Sequence, residues 1–102
     1  MGQQRPRQLS PVEARDAIQQ IVSSDGVSYS RHIRRESGPG RHIDSDDILK
    51  VLQDGMVSCN AEWDDRFQNW KYKVFGRDFE SDPLTVVVAL DLAFNRLTVI
   101  TA

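Results

Sequence analysis

Three runs late in the chain carry the apolar spacing of strands. In the first, Trp70, Tyr72 and Val74 fall on one side of an extended chain and Lys71, Lys73 and Phe75 on the other, because successive strand side chains point to opposite faces. In the second, Leu84 to Leu90 is apolar on both sides apart from Thr85, as a central strand covered on both faces would be. The third, Leu97 to Thr101, sets Thr101 at the lip of the sheet. Met56 to Trp63 reads as a further strand at an edge, and Asp64-Asp65 begins the turn into Phe67–Gly76. Arg77 to Pro83 and Asp91 to Arg96 are polar loops, with Asn95 the expected left-handed residue of the second.

Upstream the period changes from two to about 3.6. Ser10, Pro11 and Glu13 supply an N-cap, a first-turn proline and a Ser-x-x-Glu capping box. Ala14, Ala17, Ile18, Ile21 and Val22 follow as one apolar stripe, and Gly26 stops the helix near Asp25. Val27 to Ser30 reads as a short extended link, after which Ser30 caps a short helix through Ser37. That helix carries Arg31 and His32 in its first turn and Glu36 near its last, opposing the backbone dipole. Past the Gly38-Pro39-Gly40 loop, Asp44 caps a helix over Ser45 to Asp54, with Asp46 and Asp47 well placed in its first turn. Ile43 and Ile48 are spaced as a hydrophobic staple, Ile48, Val51 and Leu52 form the stripe, and Gly55 ends the helix. Met1 to Leu9 has no periodicity and reads as a flexible arm before one domain over residues 10–102. Helices followed by strands predict an α+β domain, with the helices on one face of a four-stranded, mostly antiparallel sheet. The other face is left at least partly open.

Composition changes this picture in three places. The chain's 102 residues suit one hydrophobic core without a metal or disulfide, and the single cysteine, Cys59, rules out an internal disulfide and a cysteine-rich zinc site. Val57, Ala61 and Trp63 share its strand parity, so a buried, inert thiol is expected. No apolar run is long enough to span a bilayer and no basic-then-apolar leader opens the chain, so the expected location is cytoplasmic and no membrane partner is expected. The net charge of −2 argues against a general nucleic-acid coat. Its distribution is uneven: Arg31, His32, Arg34, Arg35, Arg41 and His42 lie together, and a strongly acidic stretch runs from Asp44 to Asp65.

Several segments taken together resemble a known family. They are Tyr-Ser-x-His over Tyr29 to His32, Arg-His-Ile-Asp-Ser-Asp-Asp-Ile-Leu-Lys-Val-Leu over Arg41 to Leu52, and Lys-Tyr-Lys-Val-x-Gly-Arg over Lys71 to Arg77. Leu-Thr-Val-Val-Val-Ala over Leu84 to Ala89 and Val-Ile-Thr-Ala over Val99 to Ala102 complete the set. The pattern resembles an uncharacterised family, numbered 4258 among domains of unknown function and grouped with RelE-type toxins. The likeness covers Val27 to Ala102 and leaves the first helix outside. It implies a RelE-like fold and RNA cleavage without metal or other cofactor. It also implies a site built from basic and hydroxyl side chains on the sheet and on the helix before it. By position, His32 matches the histidine that opens the family's first helix, Lys71, Lys73 and Arg77 its basic strand positions, and Thr101 its C-terminal threonine.

The chemistry of these residue types agrees with that expectation. Metal-free RNA cleavage needs a base for the ribose 2′-hydroxyl, an acid for the leaving oxygen, and cations for charge building on phosphate. His32 offers an imidazole, whose ordinary pKa near neutral suits a base or an acid. Lys71, Lys73 and Arg77 supply cations, Thr101 a donor, and Arg31, Arg34, Arg35 and Arg41 a basic approach for RNA. Each residue also has a plainer role: a capping histidine, and lysines on the wet side of a half-buried sheet. Trp63, Trp70 and Tyr72 suit the core as well as they suit base stacking. Capping alone accounts for Asp44, Asp46 and Asp47, so no metal site is expected. The rival expectation is a non-enzymatic interaction module: an antitoxin, an inhibitor of a nuclease, or a toxin-fold protein without activity. Its partner would be another protein, whereas the enzyme reading implies RNA and a cognate antitoxin.

Overall fold

The computed structural model describes residues 7–30, 45–58, 61–66 and 68–102. The first helix, α1, spans Pro11–Ser23. Its start is built as the spacing predicts: Ser10 Oγ accepts from the Glu13 amide, and the Glu13 carboxylate accepts from the Ser10 amide at 3.0 Å. This reciprocal pair satisfies two donors that a helix start otherwise leaves open. The same carboxylate takes two contacts from Arg7, at 3.2 and 2.8 Å, and is held well below the usual range, at about 2, by the Arg7 hydrogen bonds and then the Ser10 amide. The helix ends at Ser24, and the left-handed residue after it is Asp25. Gly26 serves a different need, since a Cβ there would lie 2.4 Å from the Asn95 carbonyl oxygen.

The second described helix, α2, spans Ser45–Asp54 and carries Asp46 and Asp47 in its first turn. Its stop is a packing requirement. A Cβ on Gly55 would come within 2.5 Å of the Val51 carbonyl, 2.7 Å of the Phe75 carbonyl and 2.8 Å of a Val74 methyl. Only glycine lets the helix end lie directly on the sheet. The short helix read from the Ser30 cap through Ser37 lies, past Ser30 itself, outside the described residues, as do the Asp44 cap, Ile43 of the staple, and Cys59.

Among the described residues, six strands form one mixed sheet: β1 Val27–Tyr29, β2 Met56–Val57, β3 Glu62–Asp64, β4 Asn69–Arg77, β5 Pro83–Asp91 and β6 Arg96–Thr101. The order is β1-β6-β5-β4-β2, with β3 pairing beside β4, so the Leu84–Leu90 run is central as its apolar pattern requires. β4, β5 and β6 form the expected antiparallel meander, and Asn95 takes φ of 52° in its last turn.

Two expectations are corrected. Val27 to Ser30 is not a link: β1 runs parallel to β6, with Val27 opposite Leu97 and Tyr29 opposite Val99. The sheet is therefore six-stranded and mixed rather than four-stranded. A three-residue strand satisfied by a partner some seventy residues away leaves almost no local trace. Met56 to Trp63 is also not one strand. β2 and β3 both pair with β4, at Phe75–Val74 and at Lys71–Asn69, and the register shifts between them: Val57 to Trp63 spans six residues where Val74 to Trp70 spans four.

The two described helices lie on the same face. Ala14, Ile18 and Ile21 of α1 and Ile48, Val51 and Leu52 of α2 are buried with Tyr72, Val74, Val86, Val88, Leu90, Leu97 and Val99 of the sheet. Every strand contribution comes from one parity of its strand, so the opposite parity makes the open face. Among the described residues, no helix is long and apolar enough to cross a membrane.

Candidate functional site

Alternation on β4 turns Lys71, Lys73 and Phe75 away from the core, and the register shows what they meet. Lys71 stands opposite Ala89, which stands opposite Thr98, which stands opposite Ser28. One row further along, Lys73 stands opposite Val87. A β-bulge on β6 then seats Thr101, rather than Ile100, opposite Val87. Bulges re-aim side chains at strand ends, and this one brings Thr101 into line with Lys73. The open face therefore has a floor of Ala89 and Val87. Lysines line its β4 side, and the hydroxyls of Ser28, Thr98 and Thr101 its β1–β6 side. Two strand spacings, roughly 10 Å between backbones, separate the two sides.

The lysines are not bare. Lys71 Nζ lies 3.5 Å from Asp64 and 4.0 Å from Glu62, and Lys73 Nζ lies 3.8 Å from Glu62. These contacts follow from the β3–β4 hairpin, which sets Glu62 opposite Lys71 and Asp64 opposite Asn69. Trp63 and Trp70, directly paired on the other parity, meet edge to face at 5.5 Å between ring centroids and tie β3 to β4. Glu62 thus contacts both ammonium groups while its own side chain stays 57% exposed.

Of the sequence-derived candidates, Lys71, Lys73 and Thr101 share this face. Arg77 has the same parity but stands four residues beyond Lys73, roughly 13 Å along the strand. Its guanidinium donates to the Ser81 carbonyl at 2.7 Å, within the β4–β5 loop. His32, Arg31, Arg34, Arg35 and Arg41 lie outside the described residues. Glu62, Asp64, Ser28 and Thr98 were not singled out from the sequence. The acids had a signal: Glu62 and Asp64 mirror Lys71 and Asn69 about the intervening turn.

The two tyrosines belong to the covered face. Burial pushes the Tyr29 phenol up, with the Asp46 and Asp25 charges adding to it. Burial also raises Tyr72, whose hydroxyl oxygen accepts from the Leu9 amide at 2.9 Å. Both therefore stay neutral near pH 7. Among the described residues, no three His, Cys, Asp or Glu side chains gather as metal ligands.

The family described as Domain of unknown function (DUF4258) matches residues 29–102. The chain belongs to this family. The matched span holds the last residue of β1 and all of α2 and β2 to β6, hence both lysines and Thr101, and leaves α1 outside. No curated protein and no solved structure matches the chain.

Proposed function

We propose that the open sheet face binds RNA and that the protein is a RelE-like, metal-independent endoribonuclease of the toxin type. The observation that carries this reading is the Lys73–Val87–Thr101 row, which sets a cation and a hydroxyl donor on either side of an apolar floor. A phosphodiester over Val87 has Lys73, and Lys71 one row away, to balance its charge, with Thr101 donating from across the sheet. His32 is the proton-transfer group. Ser30, two residues before it, is tied to β6 by its amide on the Val99 carbonyl at 2.9 Å and its hydroxyl on the Ile100 carbonyl at 3.0 Å. In the reaction, a base takes the 2′-hydroxyl proton and the oxygen attacks the adjacent phosphorus. The bond to the 5′-oxygen then breaks, and that oxygen takes a proton as it leaves.

A second reading, a protein-interaction module, has its own support. Met56 and Phe75 form a cross-strand pair that is 73% and 47% exposed, and Phe79 nearby on the β4–β5 loop is 67% exposed. Cleavage of a mixed-sequence RNA in excess EDTA separates the two. The nuclease reading expects cleavage that His32→Ala abolishes and Lys71→Ala/Lys73→Ala reduces by roughly 100-fold or more. Full cleavage by the double variant would remove the lysines from the mechanism. No binding or cleavage of any RNA would leave the interaction module.

A further inference from the structure

We infer that Glu62 is a built-in competitor for the RNA phosphate: its carboxylate occupies the anion position between Lys71 and Lys73 and sets how tightly the face holds RNA. The role presupposes the RNA reading of this face.

The geometry is specific. Glu62 contacts both lysines, at 4.0 and 3.8 Å, and Asp64 lies 3.5 Å from Lys71. The two side chains also differ in how firmly they are held. Asp64 is 16% exposed and its Oδ1 accepts from the Arg66 amide at 2.8 Å, so it is anchored in the turn. Glu62 is 57% exposed, and its contacts to the lysines are loose for charge-assisted bonds. It can swing away without breaking the β3 backbone pairing, which involves no side chain.

A phosphate over Val87 lies on the β5 side of β4 and Glu62 on its β3 side, so the two compete for the same pair of ammonium groups. Binding RNA therefore means displacing a carboxylate, and the displaced charge remains close enough to repel the phosphate. Both effects weaken binding. They also make the face selective, since a stray anion of carboxylate strength gains nothing over the residue already present.

The test measures binding of a fluorescein-labelled 2′-O-methyl oligouridylate, which lacks the nucleophilic hydroxyl and so separates binding from cleavage. The proteins are the full chain, Glu62→Gln, and Lys71→Ala/Lys73→Ala. Glutamine keeps the size and removes the charge. Near-ultraviolet circular dichroism of the Trp63–Trp70 pair reports whether β3 stays on β4. The expected result is about two- to thirtyfold tighter binding by Glu62→Gln, the range for freeing two exposed ion pairs. Its affinity should fall with salt at a log–log slope steepened toward about −1.4, that of two single-strand phosphate contacts. The double lysine variant should bind more weakly than the full chain. Unchanged or weaker binding by Glu62→Gln, with the lysine variant still impaired, would overturn the role of Glu62 and leave the RNA reading standing. Equal or absent binding by all three proteins would overturn both.

Discussion

Ile18→Ala tests whether α1, which the family match leaves out, is an integral part of the domain. Ile18 is 1% exposed and sits between Ala14 and Ile21 in the core formed with α2 and the sheet. Removing a buried isoleucine down to alanine costs about 2–5 kcal/mol, from lost transfer free energy and the cavity left behind. Alanine regains a few tenths of a kcal/mol in helix propensity, so the net loss is about 3 kcal/mol. Set against a total of roughly 5–15 kcal/mol, that is a large share of the folding free energy. For a domain of this size it lowers Tm by roughly 12–24 °C. The assay is a thermal melt followed by circular dichroism, with urea unfolding to check that the m-value is unchanged. Val12→Ala on the same helix is the control: Val12 is 70% exposed, and its change should stay within about 0.5 kcal/mol. A loss below about 1 kcal/mol for Ile18→Ala would mean that α1 does not cover the sheet in solution. The core would then be complete within residues 29–102.

Gly55→Ala should destabilise the protein by about 1–3 kcal/mol, measured by urea unfolding. The overpacking against two carbonyl oxygens exceeds the gain of about 0.4–1 kcal/mol from a stiffer unfolded chain; a stabilised variant would refute the close approach of α2 to β4. Glu13→Gln should leave a protein whose Tm falls less between pH 4.5 and 2 than that of the wild type. The Glu13 pKa is depressed to about 2, so its contribution is present above the ordinary carboxylate range and lost as pH falls through the folded value; parallel curves would refute the Arg7–Glu13 latch. Asn95→Ala should lower Tm modestly, since alanine lacks asparagine's tolerance of φ near 52°; an unchanged melt would refute that turn geometry.

What could be read from the sequence depended on how local the determining contact is. The α1 cap, the parity of β4 and the left-handed Asn95 are set within a few residues, and each was legible; the stop at Gly55 was legible too, though its cause includes the close approach to Phe75 and Val74. β1 was not. Its ladder is closed by β6, and Leu97 donates to the Gly26 carbonyl at 3.0 Å from the far end of the chain. Neither Val27 nor Tyr29 carries any mark of that partner. The break between β2 and β3 was hidden for a related reason. Val57, Ala61 and Trp63 keep one parity, and the register to β4 shifts by an even number of residues between Val57–Val74 and Trp63–Trp70, so the pattern reads straight through the shift.

The candidate site divides along the same line. Which way Lys71 and Lys73 point is a property of β4 alone and follows from their alternation with Tyr72 and Val74. What surrounds them is not, and it changes their chemistry. Reading charges by sign along the chain puts Glu62 and Asp64 in a long acidic stretch remote from the lysines. The hairpin folds that stretch back so that Glu62 and Lys71 are cross-strand neighbours. Opposite charges in such a pair stabilise it by only about 0.2–1 kcal/mol, too little to dictate the fold. It is enough to make any anion that binds there compete with a carboxylate. The net charge of −2 is therefore a poor guide to the affinity of this face for RNA. Over a screening distance of about 8 Å at physiological salt, a phosphate above Val87 responds to the lysines and to Glu62 rather than to the total. On the proposed RNA reading, how tightly the face holds a phosphate depends on the two lysines and on one exposed, loosely held carboxylate, Glu62, which a single charge-removing substitution takes out of play.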